Sequence, residues 1–160
     1  MTKFRVNVYG EGFFNSGTQT GGADFAESVA VRGKKSLYEP GDLLAIDPAG
    51  HRRLTISRSP YSTRVAGIYS TKPGVLATPH SIDDEQVKSE VPLAIVGIVP
   101  CKVTAENGAI EVGDLLVSYS RSGYAMKGTN RRRMLGAVVG KPLEPLPRGS
   151  GVIQVLVTLQ

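Results

Sequence analysis

A chain of 160 residues, 41 % of them hydrophobic, has the length and apolar content for one domain, or one domain with an arm. Its formal net charge of +5 gathers in short runs at 32–35, 51–53 and 131–133, where turns or strand edges are expected; this protects edges and leaves no aromatic-interleaved basic stripe for nucleic acid. The single cysteine, Cys101, excludes an intrachain disulfide, and no stretch is long and apolar enough to span a membrane as a helix. The start, Met1-Thr2-Lys3-Phe4-Arg5, lacks the apolar core of a signal peptide, so synthesis in the cytoplasm without membrane insertion is expected.

Residues 1–22 read as an N-terminal arm. Phe4 to Gly10 alternates and predicts a strand, and 12–22 is glycine-rich and polar around Phe13 and Phe14. Nothing obvious within 12–22 covers those two rings. The expectation is that the same arm from other subunits covers them, around a three-fold axis.

The compact part is expected over 23–160. In Ala23-Asp24-Phe25-Ala26-Glu27, one helical turn would put both acids on one side, whereas an extended chain would turn them apart. Ser28-Val29-Ala30-Val31 predicts a strand. Tyr38-Glu39-Pro40-Gly41-Asp42 is a tight turn, followed by a strand from Leu43, a turn at 48–51 and a returning strand over 52–57. Ser59-Pro60-Tyr61 breaks the pattern before a closing strand at 64–70 with Gly67 as a bend. The connection at 71–89 is expected to be mostly loop, with one helical turn near 83–88. At that length it is either functional or packed against a neighbouring subunit.

The most apolar run, 91–99, predicts a central strand kinked at Gly97, with a further strand at 101–105. Glu106-Asn107-Gly108 is a hairpin turn. Val112-Gly113-Asp114 opens a second series of strands at 115–119, 124–127 and 134–139, and 151–159 ends the chain as a strand. No segment beyond one turn has a 3.6-residue period. The fold class is all-β, with ten to thirteen short strands forming a compact, barrel-like domain.

The second series repeats the first. Gly41-Asp42-Leu43-Leu44 recurs as Gly113-Asp114-Leu115-Leu116, Ser57-Arg58-Ser59-Pro60-Tyr61 as Ser120-Arg121-Ser122-Gly123-Tyr124, and Val65-Ala66-Gly67-Ile68 as Leu135-Gly136-Ala137-Val138, with Lys72-Pro73 matched to Lys141-Pro142. The offsets drift between 63 and 72 residues, as for one hairpin plan with loops of different length. The units are placed at about 25–73 and 97–142, and neither buries its apolar face alone.

Few residues offer chemistry. His51 and His80 lie in predicted loops, outside any metal-ligand spacing, and are expected to be exposed turn residues; no metal and no cofactor is expected. Asp83-Asp84-Glu85 lacks calcium-loop spacing, and 12–22 lacks a phosphate-loop pattern. Asp42 and Asp114 are a conceivable glycosidase pair, but their equivalence in the repeat favours a shared structural role, in which each caps its turn beside Gly41 or Gly113. No G-x-S-x-G motif is present. Self-cleavage needs only a hydroxyl and a carboxylate beside a strained peptide. Those parts meet at Asn15-Ser16 and over 24–28, which makes Asp24, Glu27 and Ser28 the candidate residues. A third reading, glycan or protein binding, uses the 71–89 loop with Tyr61, Tyr119 and Tyr124.

The stretch Gly12-Phe13-Phe14-Asn15-Ser16-Gly17-Thr18-Gln19-Thr20-Gly21-Gly22-Ala23-Asp24-Phe25-Ala26-Glu27 resembles the junction near the C-termini of phage tail-fibre and neck-appendage proteins and related bacterial proteins of unassigned role. There, a repetitive fibre gives way to a compact β domain. Gly22-Ala23-Asp24-Phe25-Ala26-Glu27, with Pro40-Gly41-Asp42, Tyr61, Val65-Ala66-Gly67-Ile68-Tyr69-Ser70 and Lys72-Pro73-Gly74, is similar to the auto-processing intramolecular chaperone domain, the G2 peptidase family. The resemblance spans most of 12–142. It implies a homotrimer, a mostly β fold, a role in fibre assembly, fibre or particle proteins as partners, and a place in a phage-like particle. Only eleven residues precede the junction here, which favours a trimer that caps or ends a fibre without cleavage.

Overall fold

The structure, a computed structural model, describes residues 4–15, 17–19, 22–81 and 84–158. Among these residues, thirteen strands form one hydrogen-bonded system. They are β1 (Phe4–Val6), β2 (Gly12–Phe14), β3 (Gly17–Gln19), β4 (Phe25–Val31), β5 (Leu43–Ile46), β6 (Arg53–Ile56), β7 (Val65–Tyr69), β8 (Val75–Ala77), β9 (Val91–Thr104), β10 (Leu116–Ser118), β11 (Ala125–Lys127), β12 (Val138–Pro142) and β13 (Ser150–Val157). The only helical pieces among the described residues are single 3-10 turns at Lys35–Leu37, Glu85–Ser89 and Arg131–Arg133. Glycine and proline turns between short Val-, Leu- and Ile-rich runs leave no room for a longer helix.

Two sets of pairings repeat one scheme. In the first, β4 runs parallel to β6, β6 pairs with β5, β5 with β7, β7 with the first part of β9, and that part of β9 with β4. In the second, the latter part of β9 runs parallel to β11, β11 pairs with β10, β10 with β12, β12 with β13, and β13 with β9. The registers agree position by position. Leu44↔Ile56 is matched by Leu116↔Lys127, Val29↔Val91 by Cys101↔Ile153, and Leu44↔Gly67 followed by Ala45↔Val65 by Leu116↔Gly140 followed by Val117↔Val138, with the bulge at the same step. β9 therefore closes the first set and opens the second, and its 14 residues form one continuous strand where the sequence reading kinks the first run at Gly97 and begins a further strand at 101.

This register corrects part of the sequence alignment. Gly67 corresponds to Gly140, not Gly136; 134–137 is a turn and β12 begins at Val138. The two Ser-Arg-Ser stretches are not equivalent, because Ser57 follows β6 whereas 120–122 precedes its counterpart β11. Each set also needs a fifth strand, so the scheme runs through 91–96 in the first and 150–157 in the second, beyond the boundaries read from sequence. The physical reason for the glycine pair is close approach. A Cβ at Gly67 would overlap the Ala94 carbonyl, and one at Gly140 the Leu156 carbonyl, the matching contact in each set.

The interior follows the repeat. Val31, Leu44, Leu54, Val91 and Leu93 pack together in the first set. Their counterparts Val103, Leu116, Ala125, Ile153 and Val155 pack in the second, where Leu43, Val65, Ile68 and Ala94 of the first set join them. Each fully buried Leu, Ile or Val contributes about 1.5–3 kcal/mol, so the shared cluster holds the two sets together.

The arm joins its own chain through backbone pairing. β1, β2 and β3 form an antiparallel meander whose last strand pairs with β8, and β8 runs parallel to β4. β8 is a strand inside the segment read as loop; its three residues follow Pro73-Gly74 and are too few to show alternation. Adjacent residues of a strand face opposite ways, so Phe13 and Phe14 part company. Phe13 is half-buried with the Arg5 guanidinium 4.6 Å over its ring. Phe14 stacks at 4.9 Å on Phe4 and is 43 % exposed.

Candidate functional site

β4 emerges extended, not helical, which settles the geometry of its acids. Asp24 is buried and Glu27 is half-exposed, 3.6 Å from Arg52 Nη2. Ser28 points to the same side as Asp24, but their side chains share no hydrogen bond. The structure therefore does not bring Asp24, Glu27 and Ser28 together. The Asp24 Oδ2 has no hydrogen-bond partner among the described residues, while its backbone carbonyl accepts the Gly74 and Val75 N–H groups. Ser16 and Asp83 lie outside the described residues.

Ser28 instead meets residues distant in the chain. Its Oγ donates to Glu90 Oε2 at 2.6 Å, and the pair is buried. Glu90 Oε1 lies 2.9 Å from His80 Nε2, and His80 Nδ1 lies 3.4 Å from Asp84 Oδ2. Local turns hold the members in place. Asp84 caps the 3-10 turn at Glu85–Ser89 by accepting the Gln86 N–H at 2.8 Å, and Thr78 Oγ1 accepts the His80 N–H at 3.2 Å. Sequence reading places His80 in solvent; its side chain is in fact 15 % exposed and bonded to carboxylates on both sides. The bond to Glu90 holds its imidazole above the ordinary histidine range, with burial opposing and the Asp84 charge adding.

Ser28 and Glu90 stand between two grooves. One, of about 530 Å³, is bordered by Glu27, Arg52, Pro79 and His80. The other, of about 330 Å³, is bordered by Glu11, Lys35, Lys72 and Leu76. Chemically the arrangement is a hydroxyl bonded to a carboxylate, with that carboxylate oriented by a third group; this is the layout of an activated serine. It is also a clamp that ties the 78–90 segment to β4.

The two repeated turns share one design. Asp42 Oδ2 accepts the Glu39 N–H and Asp114 Oδ2 the Glu111 N–H, each at 2.8 Å. Gly41 (φ 90°) and Gly113 (φ 86°) take the left-handed conformation that lets each chain reverse. Asp42 also pairs with Lys102 Nζ at 2.7 Å, and Asp114 with Lys127 Nζ at 2.9 Å. Burial depresses the Lys102 ammonium, but its bonds to Asp42 and Glu39 outweigh this and raise it. The two aspartates occupy separate turns, each closed on its own lysine.

Other candidates are engaged. Burial pushes the Cys101 thiol up to about 12, which makes it a poor nucleophile. Tyr61 Oη accepts the Thr129 and Asn130 N–H groups at 2.9 and 3.0 Å, Tyr119 Oη donates to Glu106 at 2.6 Å, and Tyr124 lies under Arg121 at 4.0 Å. Among the described residues, no three His, Cys, Asp or Glu side chains converge as metal ligands, and no helix is long and apolar enough to cross a membrane. No protein-family model and no curated protein matches this chain.

Proposed function

We propose that the protein is a structural or assembly module, a homotrimer of β-rich subunits that caps or ends a fibre-like assembly. The supporting observation is an apolar sheet face that the chain leaves open. Cross-strand registers put Phe4 beside Phe14, Val75 beside Phe25, and Phe25 beside Val96 on one face. Phe4, Val6, Phe14, Phe25, Val96 and Ile98 are all exposed there. A monomer rarely shows so many large apolar side chains along one sheet, and the edge strand β1 adds unpaired backbone groups. Copies of the same face, closed around a three-fold axis, bury both. In this reading each five-strand set closes as a small barrel, a rigid body from which the arm projects. The test is a Phe14→Asp, Phe25→Asp double variant, both positions exposed in the subunit. It should stay folded by circular dichroism and lose self-association; unchanged association overturns the reading.

Self-processing is the second reading, favoured by the bond between Ser28 and Glu90. Glu90 takes the Ser28 proton as Oγ attacks a peptide carbonyl, the peptide C–N bond breaks, and the proton passes to the leaving amine; water then releases the ester. Intact-mass measurement over long incubation decides it. Loss of an N-terminal piece in the parent protein, absent in Ser28→Ala, supports cleavage; an unchanged full-length mass removes it.

A further inference from the structure

The groove between the Lys35–Leu37 turn and the segment after β6 belongs to neither the apolar face nor the Ser28 cluster. It encloses about 600 Å³, within the range of small-ligand sites. Arg32, Arg58 and Arg64 line it, and no carboxylate does. Asp47, the acid nearest Arg32, is already committed. Its Oδ2 takes both the Nε and Nη2 of Arg53 at 2.7 Å, its Oδ1 takes the Ala49 N–H at 3.0 Å, and Arg32 Nη1 stays 3.9 Å away. Arg58 and Arg64 pair with no carboxylate among the described residues. Three arginines thus line one concavity, and the charge of Arg58 and Arg64 is offset by no acid of its lining, which gives the groove a positive potential that favours an anion.

The walls are fixed before any ligand arrives. Tyr38 Oη donates to the Arg32 carbonyl at 2.7 Å, which pins the first wall. On the second, Tyr61 is held at φ 54° by the bonds its Oη accepts from Thr129 and Asn130, and the Ser62 N–H donates to Ser118 Oγ at 2.8 Å. A bulky residue kept in the left-handed region is strained, and the surroundings hold it there. Ser57, a lining residue, is fully buried, and its Oγ has no partner among the described residues. Leu37 and Ile46, both exposed, give the rim an apolar edge.

We propose that this groove binds a small organic oxyanion, a carboxylate, sulfate or phosphate carried on a sugar-sized body. Guanidinium groups recognise such oxyanions by paired, charge-assisted hydrogen bonds, and the apolar rim takes the carbon face. The site shares no residue with the apolar face, so it stands or falls apart from the assembly reading.

The test is amide NMR of the full chain at constant ionic strength, titrated separately with inorganic phosphate, inorganic sulfate, galacturonate and, as the neutral control, galactose. The expected result is a saturable shift confined to 32–38 and 55–64 with at least one oxyanion, and none with galactose. The oxyanion that saturates at the lowest concentration identifies the head group. An Arg58→Glu, Arg64→Glu variant alters exposed side chains only and should keep a dispersed spectrum while losing at least about tenfold in affinity. The proposal is overturned if no oxyanion saturates, if the shifts spread equally to the basic runs at 51–53 and 131–133, or if the double variant binds as well as the parent.

Discussion

Asp42 and Asp114 offer one experiment done twice by the chain itself. The same carboxylate caps the same turn and pairs with a lysine, but at different depth. The Asp42 side chain is 3 % exposed and its partner Lys102 17 %, against 20 % and 28 % for Asp114 and Lys127. Asp42→Ala removes the acceptor for the Glu39 N–H and leaves Lys102 with Glu39 alone, a side chain that is 75 % exposed. Deleting one member of a buried pair costs about 3–5 kcal/mol; the surviving Glu39 contact places this case at the lower end, about 3 kcal/mol. Asp114→Ala loses one turn hydrogen bond and a partly exposed pair that water screens more than the Asp42 pair, about 1–1.5 kcal/mol. Urea unfolding at neutral pH, followed by far-ultraviolet circular dichroism because the chain has no tryptophan, gives both values. The difference should be about 2 kcal/mol, with Asp42→Ala the more harmful. Equal losses, or a larger loss for Asp114→Ala, would refute the argument from burial.

Gly67→Ala and Gly140→Ala should each destabilise by about 2 kcal/mol or more, since the added methyl meets a backbone carbonyl; Gly108→Ala, where nothing lies within 4 Å, should cost less, and thermal melts order the three. The His80 clamp gives a pH dependence whose sign follows from its raised pKa. Its contribution is full below the ordinary value of 6.5 and is lost as pH rises through the elevated folded value. Denaturant midpoints should therefore fall across that window, and His80→Gln should flatten the fall; a parent curve with no slope there contradicts the clamp. Cys101 should resist thiol reagents in the native protein and react fully once unfolded, a difference read by absorbance. Removing β13 should abolish folding, since it pairs with β9 at eight positions and with β12 at three; a truncated chain with native circular dichroism would show otherwise.

The legible parts of the sequence are those governed by neighbours in the chain. The Gly-Asp-Leu-Leu turns announce themselves because a left-handed glycine followed by a capping acid is local chemistry, and they lead to the repeat. The longer matches mislead for the same reason. Ser-Arg-Ser-x-Tyr occurs twice, yet strand pairing, not spelling, decides equivalence, and pairing aligns Gly67 with Gly140. β9 reads as two strands because Gly97 and Pro100 are breakers in isolation; its partners β4 and β13 carry it through. The cluster at Ser28 is only partly visible. Ser28 stands out beside Asp24 and Glu27, but its actual partner Glu90 is 62 residues away and His80 reads as a loop residue. A buried polar chain assembled by strand order leaves no spacing to recognise. The arginine groove is equally hidden, because its walls come from 32–38 and 57–64, and only folding shows that no acid lies between them.

The assembly reading depends on whether the open face that runs from Phe4 to Ile98 is covered by further copies of the chain. Sedimentation equilibrium on the intact protein at micromolar concentration measures this directly. A mass three times that of the 17.0 kDa chain is predicted, and a mass of 17.0 kDa across the concentration range would contradict it.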